Sequence, residues 1–562
     1  MAVELEPIYL RFDKYQLAPR RLPPSPSLIH RRPALRVNTA QRAPPLKRPM
    51  STPHPIYAPI PKALPSTNIH AAHNDSQPVS RLPAELLAYI VNLARNLDLS
   101  EGEHPSGRVA SFSLVCRRFR KTLLSAPHLW STIAVQAHAT YGLQFAALCI
   151  TRAGNAPLEL WLDSFYSAAQ VVPFIAPHED RIRHIRLRVP VDAPPALVAS
   201  TCAFQVPNLE SLDVAPLSEA GRATPLTLPT LFSAGFSDRI ARLRLADCAP
   251  PPGAYSALTQ LHLSGRIPGL VDLLRGCASS LRTLLLDKID CEDVRADETP
   301  IELSSLDSLS VVTVPTSTGQ NFFNRLALSS QCQIRVRCHM PSSPDDENAP
   351  TLPTLPRAMR SLLDSRTSHA ETLQLYANGE RVQLVTLGES RVSIFIGARQ
   401  SDTAETTVED EEGGQWLTSA VRDLLQTLPL DSVRSVWIVA EDQLPVDVVA
   451  VLSALPNVRE FTALDAALAD VSRALSTAAP TGLIAPKLET LRLRAYDSER
   501  SALAVLRGAL EARVAHGMRL RRLVLQADAG ADTEVLQDVV DELRVVNDDA
   551  MQAPMAPPEW SG

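Results

Sequence analysis

Aromatic residues and glycine are scarce in this 562-residue chain. Aromatics make up 5%, and there are 21 Gly against 47 Pro. Few glycines argue against glycine-rich phosphate-binding loops, and few aromatics argue against an aromatic-rich β-sandwich. No apolar run reaches the roughly 18 residues of a membrane helix. The first residues lack the basic start and apolar stretch of a secretory signal. We therefore expect a protein that neither crosses a membrane nor enters the secretory route.

The eight cysteines form no Cys-x-x-Cys pair and are too dispersed for a disulfide framework. This pattern predicts a reducing compartment, cytoplasmic and/or nuclear.

Motifs for nucleotide, zinc-protease or serine-hydrolase chemistry are also missing from the sequence. There is no G-x-x-x-x-G-K-[ST], G-x-G-x-x-G, H-E-x-x-H or G-x-S-x-G. His178, His184 and His262 lie far apart and are interpreted as surface or hydrogen-bonded histidines. Cys332 and Cys338 have no further ligands at metal spacing. The sequence predicts no enzyme, no cofactor and no metal site.

Leucine, with 79 residues, and proline are the abundant residues, and they divide the chain. Residues 1–79 hold 15 Pro, 11 Lys plus Arg and four Asp plus Glu. Their charge of +7 leaves −13 for residues 80–562, given a net charge of −6. Such composition predicts a disordered tail, which serves either as a solvated segment or as a docking, nuclear-import or transit segment.

Residues 80–134 show the spacing of a small helical unit. Leu82, Leu86, Leu87 and Ile90 recur at helical intervals after Ser80, and Pro83 suits a first helical position. The polar stretch 98–111 reads as a loop with Gly and Pro as breakers. Residues 112–120 predict a second helix, and residues 127–133 a third short element. A unit this small has little interior, so part of its apolar surface needs cover from outside, either from the following domain alone or from a partner protein.

The order Leu-Pro-x-Glu-Leu-Leu-x-x-Ile, Leu-Val-Cys-Arg-Arg-Phe-Arg and Leu-Trp-x-x-Ile resembles an F-box. The resemblance covers about 55 residues, from 80 to 134. Two features depart from the common pattern: the loop between the first two helices is long, and Phe119 stands where many members carry Trp. By resemblance, the F-box face binds an SKP-type adaptor and, through it, a cullin. That predicted face comprises Leu82, Pro83, Leu86, Leu87, Ile90, Leu114, Val115, Cys116, Phe119, Leu129 and Trp130.

Beyond residue 134 an apolar-x-x-apolar-x-apolar hexad recurs ten times. The hexads begin at residues 182, 209, 240, 258, 281, 306, 433, 458, 488 and 520. Within each series they start 18 to 32 residues apart, close to the period of leucine-rich repeats. We therefore predict an α/β fold, in which the F-box precedes an irregular leucine-rich-repeat-like solenoid, or horseshoe. An ordinary α/β domain with a parallel sheet is the competing interpretation.

The predicted domain boundaries follow these patterns. The solenoid occupies residues 135–340 and 370–546, joined by a linker at residues 341–369. An acidic, solvated loop is expected at residues 401–414, and a flexible tail at residues 547–562.

Residues that alternate with the buried leucines would line the concave face of a horseshoe. Four arginines predict a basic strip on an otherwise acidic body, and an exposed tryptophan suits a binding hot spot. Arginines that are simply solvated are the alternative. The candidate target-binding residues are Arg186, Arg188, Arg242, Arg244, His262, Trp437 and Arg492.

The combination of a basic Pro-rich tail, an F-box and a leucine-rich body is similar to the large fungal group of F-box proteins. This resemblance implies a substrate receptor of a cullin-based (SCF) ubiquitin ligase, which presents an unidentified target protein for ubiquitin-dependent degradation. A non-degradative adaptor or scaffold is the alternative. Neither membrane nor nucleic-acid partners are expected.

Overall fold

The structure is a computed structural model of the chain. The residues that the structure describes are 77–95, 105–135, 142–162, 173–190, 193, 205–217, 226–227, 238–251, 253, 255–290, 299–312, 321–339, 359–378, 381–388, 391–397, 411–440, 447–464, 468–479, 482–494, 500–526 and 533–546. The predicted tails, residues 1–76 of the first and all of the second, lie outside these ranges.

Ten α-helices lie wholly within the described ranges, and residues 173–175 and 321–323 are helical as well. The ten are α1 (Ala84–Ala94), α2 (Pro105–Phe112), α3 (Arg117–Leu124), α4 (Gly142–Ala153), α5 (Leu270–Cys277), α6 (Arg360–Thr367), α7 (Glu411–Thr427), α8 (Val448–Ser453), α9 (Leu468–Ser476) and α10 (Arg500–Ala515). Short 3-10 helices occupy Pro78–Arg81, Pro127–Trp130, Ala176–Arg181 and Thr533–Leu536.

Twenty-three strands accompany the helices. They are β1 (Thr132–Val135), β2 (Leu158–Leu162), β3 (Ile182–Val189), β4 (Ser211–Pro216), β5 (Leu226–Thr227), β6 (Arg242–Ala246), β7 (Cys248–Ala249), β8 (Gln260–Arg266), β9 (Thr283–Asp290), β10 (Ile301–Leu303), β11 (Ser308–Val312), β12 (Leu326–Leu328), β13 (Gln333–His339), β14 (Ala370–Asn378), β15 (Arg381–Gly388), β16 (Val392–Gly397), β17 (Ser435–Ala440), β18 (Glu460–Leu464), β19 (Ala478–Ala479), β20 (Gly482–Leu483), β21 (Thr490–Arg494), β22 (Leu520–Gln526) and β23 (Val540–Val546).

Seventeen of these strands form one large mixed sheet. Strand pairing gives the order β1-β2-β3-β4-β6-β8-β9-β11-β13-β16-β15-β14-β17-β18-β21-β22-β23. Every pair is parallel except the two that β15 makes. The α/β fold class is therefore confirmed. Each of the ten predicted hexads overlaps a strand of this sheet.

The register of the sheet aligns the hexads in buried rows. Leu243 pairs with Leu212 on one side and with Leu261 on the other, and Leu245 pairs with Val214 and Leu263. All six side chains are buried in one continuous apolar core. A single strand cannot bury such a row, so each strand depends on its neighbours for cover.

Hydrogen bonds at the N-terminal ends of the strands recur at equivalent positions in the two segments 135–340 and 370–546. Asn208 Nδ2 donates to the carbonyl oxygen of Asp180 at 2.8 Å, and Arg239 donates to Asn208 Oδ1 at 2.7 Å. Asn457 Nδ2 likewise donates to the carbonyl oxygen of Asp431 at 2.8 Å. Lys487 Nζ donates to Asn457 Oδ1 at 2.6 Å. Both asparagines follow a proline and precede the first apolar residue of a hexad. The two segments thus share this contact at their strand entrances.

Buried arginines join the helical layer to the strands. Arg513, on α10, donates to the carbonyl oxygens of Ile484 and Ala485, both at 2.9 Å. Arg366, on α6, donates to the carbonyl of Ser330 at 2.7 Å and to that of Leu328 at 3.2 Å. Burial lowers the pKa of both guanidinium groups. Their hydrogen bonds to carbonyl oxygens offset this cost of burying charge.

An antiparallel meander, β14-β15-β16, interrupts the parallel array, and β15 was not predicted. The order of its three strands in the sheet is the reverse of their order in the chain, so that β16 pairs with β13 and β14 pairs with β17. Side chains are buried on both of its faces. Gln383 donates to Ser393 Oγ at 2.9 Å inside it. Gly388 closes the meander against β14, where a Cβ would stand 2.6 Å from the carbonyl oxygen of His369.

Three predicted loops contain helix. Residues 105–112 form α2, because Pro105 occupies a first helical position, where its missing N–H costs nothing. The predicted linker at residues 341–369 includes α6, with Met359 and Leu363 buried. The predicted acidic loop at residues 401–414 overlaps the start of α7 at Glu411. The remaining parts of these loops lie outside the described residues.

Two adjacent leucines of β9 test the two faces of the sheet. Leu284 is fully buried, whereas Leu285 points to the opposite face and is half-buried. We expect Leu284→Ala to lower the free energy of unfolding by about 2–5 kcal/mol. The matched Leu285→Ala removes the same atoms from a partly solvated site and should cost about 1 kcal/mol. Denaturant titration measures both values. Equal losses would contradict the assigned faces.

Candidate functional site

Residues 77–130, here called the helical module, are organised around Trp130. This side chain is fully buried, and its Nε1 donates to the carbonyl oxygen of Leu123 at 2.7 Å. The guanidinium of Arg152, on α4, lies 4.3 Å from the centroid of the Trp130 ring. Arg95 donates to the carbonyl oxygen of Leu129 at 3.0 Å and so ties the end of α1 to the same turn. Trp130 therefore joins the module's helices to the α4 layer of the body.

One side of α1 is apolar and exposed. Leu86, Ile90 and Leu93 follow one another at helical spacing on α1 and are 47–49% exposed. We call these three residues the apolar stripe. The other side of α1 packs inward through Leu87, Ala88 and Val91. A helix that buries one face normally exposes polar side chains on the other, so the stripe is unusual.

A second exposed apolar site lies in the turn between α2 and α3. Leu114 is 77% exposed and Val115 is 62% exposed. Arg118, at the start of α3, donates to the carbonyl oxygen of Leu82, just before α1. This hydrogen bond brings the turn close to the beginning of α1.

Exposed apolar side chains are concentrated in the module. Of the 13 large hydrophobic side chains that are exposed in the described residues, eight lie between residues 79 and 124.

The structure divides the predicted adaptor-binding residues into three groups. Pro83, Leu86, Ile90, Leu114 and Val115 are exposed. Leu82, Cys116 and Phe119 are half-buried.

The remaining three, Leu87, Leu129 and Trp130, are at most 1% exposed. They form the module's own core rather than an accessible face. Sequence spacing also missed Tyr89 and Leu93, which are exposed on α1. Their helical spacing from Leu86 was the available signal.

A charged cluster covers the open face of β3, β4 and β6. Asp213, on β4, lies at its centre and accepts from Arg188 at 2.9 and 3.0 Å. The Nε atoms of Arg186 and Arg244 lie 4.0 and 3.8 Å from its carboxylate oxygens. Arg242 Nη2 is 3.4 Å from His184 Nδ1. We call Arg186, Arg188, Asp213, Arg242 and Arg244 the arginine cluster. It contains the four arginines of the predicted basic strip, and its formal net charge is positive.

Asp213, Trp161 and Glu159 are members of this surface that sequence reasoning missed. Arg186 stacks on Trp161, with 4.6 Å between the guanidinium carbon and the ring centroid. Trp161 Nε1 donates to Glu159 Oε1 at 2.8 Å. Asp213 occupies the position between the last two apolar residues of its hexad. This position in the hexad was the signal that the sequence offered for Asp213, because the same position aligns across neighbouring strands.

His262 lies beside the cluster, where it pairs with Arg244 across β6 and β8. Its Nε2 is buried and has no hydrogen-bond partner within the described residues. Burial, and after it Arg244, lowers the pKa of His262 to about 4. Burial also lowers the pKa of His184. Both histidines are neutral at pH 7.

Trp437 and Arg492 are distant from the arginine cluster. Trp437 lies on β17 between Gln374 and Thr462, and it is half-buried rather than openly exposed. Arg492 lies on β21 beside Thr462 and is half-buried as well. The seven predicted target-binding residues therefore divide between two parts of the sheet. Only the part around Asp213 forms a compact charged group.

A polar groove of about 760 Å³ opens at the entrances of β14, β17, β18 and β21. Its lining includes Arg434, Arg459 and Lys487, together with Glu371 and Asp431. The hydrogen bonds of Asn457 cross it between repeats. The groove thus belongs to the inter-strand contacts of the fold.

The described residues contain no group of three or more His, Cys, Asp or Glu arranged to hold a metal ion. Cys332 and Cys338 are buried as free thiols, and burial raises their pKa values to about 11 and about 12. They are therefore protonated at neutral pH and poor ligands or nucleophiles. In the part of the chain covered by the structure, no helix has both the length and the apolar character needed to cross a membrane.

Comparison with known proteins gives no family assignment. The chain matches no protein-family model, and no curated protein sequence matches it.

The pKa of His262 predicts a stability loss in acid. Its folded-state pKa of about 4 lies below the unfolded value of about 6.5, so unfolding takes up a proton between these limits. The free energy of unfolding should fall as the pH falls through this window. We expect His262→Gln to reduce the loss between pH 7.5 and pH 5 by on the order of 1 kcal/mol, allowing for partial exposure. Denaturant titrations at both pH values test this. Parallel losses in the two proteins would contradict it.

Proposed function

We propose that the chain is a substrate receptor of a cullin-based ubiquitin ligase. In this proposal the helical module is an F-box that docks on an SKP-type adaptor, and the sheet body presents a target protein. The chain itself performs no bond chemistry. It holds target lysines near a charged conjugating enzyme, so that ubiquitin transfer becomes effectively intramolecular.

The observation that carries this proposal is the exposed apolar surface of the module. Leaving a Leu or Ile side chain in water forgoes about 1.5–3 kcal/mol relative to burying it. The apolar stripe, together with Leu114 and Val115, places five such side chains on one small unit. Contiguous exposed apolar surface of this kind marks protein-binding sites. The three sequence motifs that resemble an F-box indicate an SKP-type adaptor as the partner.

The body supports the proposal through its repeated units. Sequential parallel strands, buried hexads and recurrent asparagine hydrogen bonds favour a degenerate leucine-rich-repeat solenoid. Such solenoids offer long open faces for protein partners. The arginine cluster lies on the strand face of this body, at the position expected for a concave binding surface.

We expect Leu86→Asp combined with Ile90→Asp to weaken adaptor binding at least 10-fold, because two charges would enter an apolar interface. Both side chains are exposed, so the module should still fold. Titration of the full chain with purified adaptor measures the affinity. Trp130 is unsuitable for this test, since its removal would empty the module's core.

Val505→Asp combined with Val514→Asp is the matched control, because both side chains are exposed on α10, outside the module, and the added charge is the same. It should bind the adaptor as the unchanged chain does. Absence of binding by the unchanged chain, or full binding by the double variant, would rule out the F-box assignment.

A receptor and a scaffold differ in what happens to the captured protein. We expect a protein captured by the body to gain ubiquitin in a reconstituted ligase. The Leu86→Asp, Ile90→Asp variant should capture it equally but reduce its ubiquitination at least 10-fold. Quantitative mass spectrometry of ubiquitin-modified lysines provides the measurement. Equal modification with both proteins would favour a non-degradative scaffold.

A further inference from the structure

Arginine dominates the outward positions of the large sheet. Across its strands these positions include ten arginines and five acidic residues. The arginines are Arg186, Arg188, Arg242, Arg244, Arg335, Arg337, Arg492, Arg494, Arg522 and Arg544. The acidic residues are Glu159, Asp213, Asp287, Glu460 and Glu542. This face is therefore basic, whereas the chain has a net charge of −6.

Arg242 and Arg244 are the most accessible part of the arginine cluster. Both are exposed on β6, and the Arg244 side chain retains 49% of its accessible surface. Arg188 is different, since both of its contacts to Asp213 are short and its side chain is only 12% exposed. Asp213 thus forms a salt bridge with Arg188 and holds the neighbouring guanidinium groups in place. Arg242 and Arg244 are the members that present donors to solvent.

The spacing of these two arginines defines the shape of a complementary ligand. They are alternate residues of one strand, so their side chains project about 6.8 Å apart on the same face. An extended peptide also projects alternate side chains on one side at this interval. A guanidinium binds a carboxylate through two parallel hydrogen bonds. Two separated guanidiniums therefore match two separated carboxylates better than they match one compact anion.

We propose that β6 binds an extended acidic segment of a target protein, with Asp or Glu at alternate residues paired to Arg242 and Arg244. Asp213 and Trp161 act as positioning residues, because they fix Arg188 and Arg186 beside this track. The role of the segment as a ubiquitination target rests on the proposed receptor function. The binding chemistry itself rests on the charges and geometry of the strand face.

Fluorescence anisotropy with the full-length chain tests the proposal. The probe is a labelled 12-residue peptide of alternating Glu and Ser, and the comparison peptide alternates Gln and Ser. We expect the Glu peptide to bind at least 10-fold more tightly than the Gln peptide. Its affinity should fall with added salt, since exposed charge pairs are screened. Arg242→Gln combined with Arg244→Gln should weaken its binding at least 10-fold.

Arg117→Gln combined with Arg120→Gln provides the matched control, because both arginines are exposed on α3 and the loss of charge is the same. This variant should bind the Glu peptide within twofold of the unchanged chain. An equal loss in both double variants would indicate a net-charge effect and overturn the site. Equal binding of the Glu and Gln peptides would overturn it as well.

Two further arms separate the alternatives. A Ser-rich peptide with one phosphoserine should bind more weakly than the Glu peptide, and tighter binding would replace the acidic segment with a phosphorylated one. The Leu86→Asp, Ile90→Asp variant should retain its peptide affinity, because the assay contains no adaptor. Adaptor binding without peptide binding overturns this inference alone. Peptide binding without adaptor binding overturns the receptor function alone.

Discussion

The mutual cover of neighbouring strands is the constraint on which the body depends. Each hexad strand presents two apolar side chains to one side, and adjacent strands align them into rows such as Leu212, Leu243 and Leu261. One strand alone leaves its row in water, so the core exists only as a series. The opposite side of the same strands then becomes free to carry charge. The arginine cluster is a consequence of this division, since its residues alternate with the buried leucines.

The helical module depends on a different interaction. Trp130 fills its interior, hydrogen bonds to Leu123 and stacks with Arg152 of α4. This arrangement uses the largest apolar side chain for cohesion, and it leaves smaller ones, Leu86 and Ile90, for the outside. A unit of this size cannot bury all its apolar surface. The outward stripe is therefore compatible with a stable module, and it supports the proposed docking role.

Prediction from the sequence succeeded where a single periodicity of apolar residues determines the local structure. Alternation in the hexads was enough to locate ten strands and their buried faces, because side chains of a strand point to opposite sides. It did not reveal β15, since alternation in Arg381–Gly388 carries no information about the direction of its neighbours. Direction is decided by the hairpins that flank the strand. This is a tertiary property.

The candidate sites were only partly predictable for a related reason. Apolar spacing identified Leu86, Leu87 and Trp130 together, but packing decides which of them is inside. The arginines were found because charge on an outward position is visible in the sequence. Asp213 was overlooked, since its importance comes from three arginines on two neighbouring strands. Such convergence depends on strand register, which single hexads do not specify.

The reversed meander has a consequence for cooperativity. In a stacked array, structure propagates from each unit to the next. Here the strand that follows β13 in the chain, β14, takes a place beyond β15 and β16, and β16 returns to pair with β13. Folded structure can therefore propagate from β13 to β17 only after both hairpins of the meander have formed. We therefore expect partial unfolding to begin or stop at the meander, with β1–β13 on one side and β17–β23 on the other.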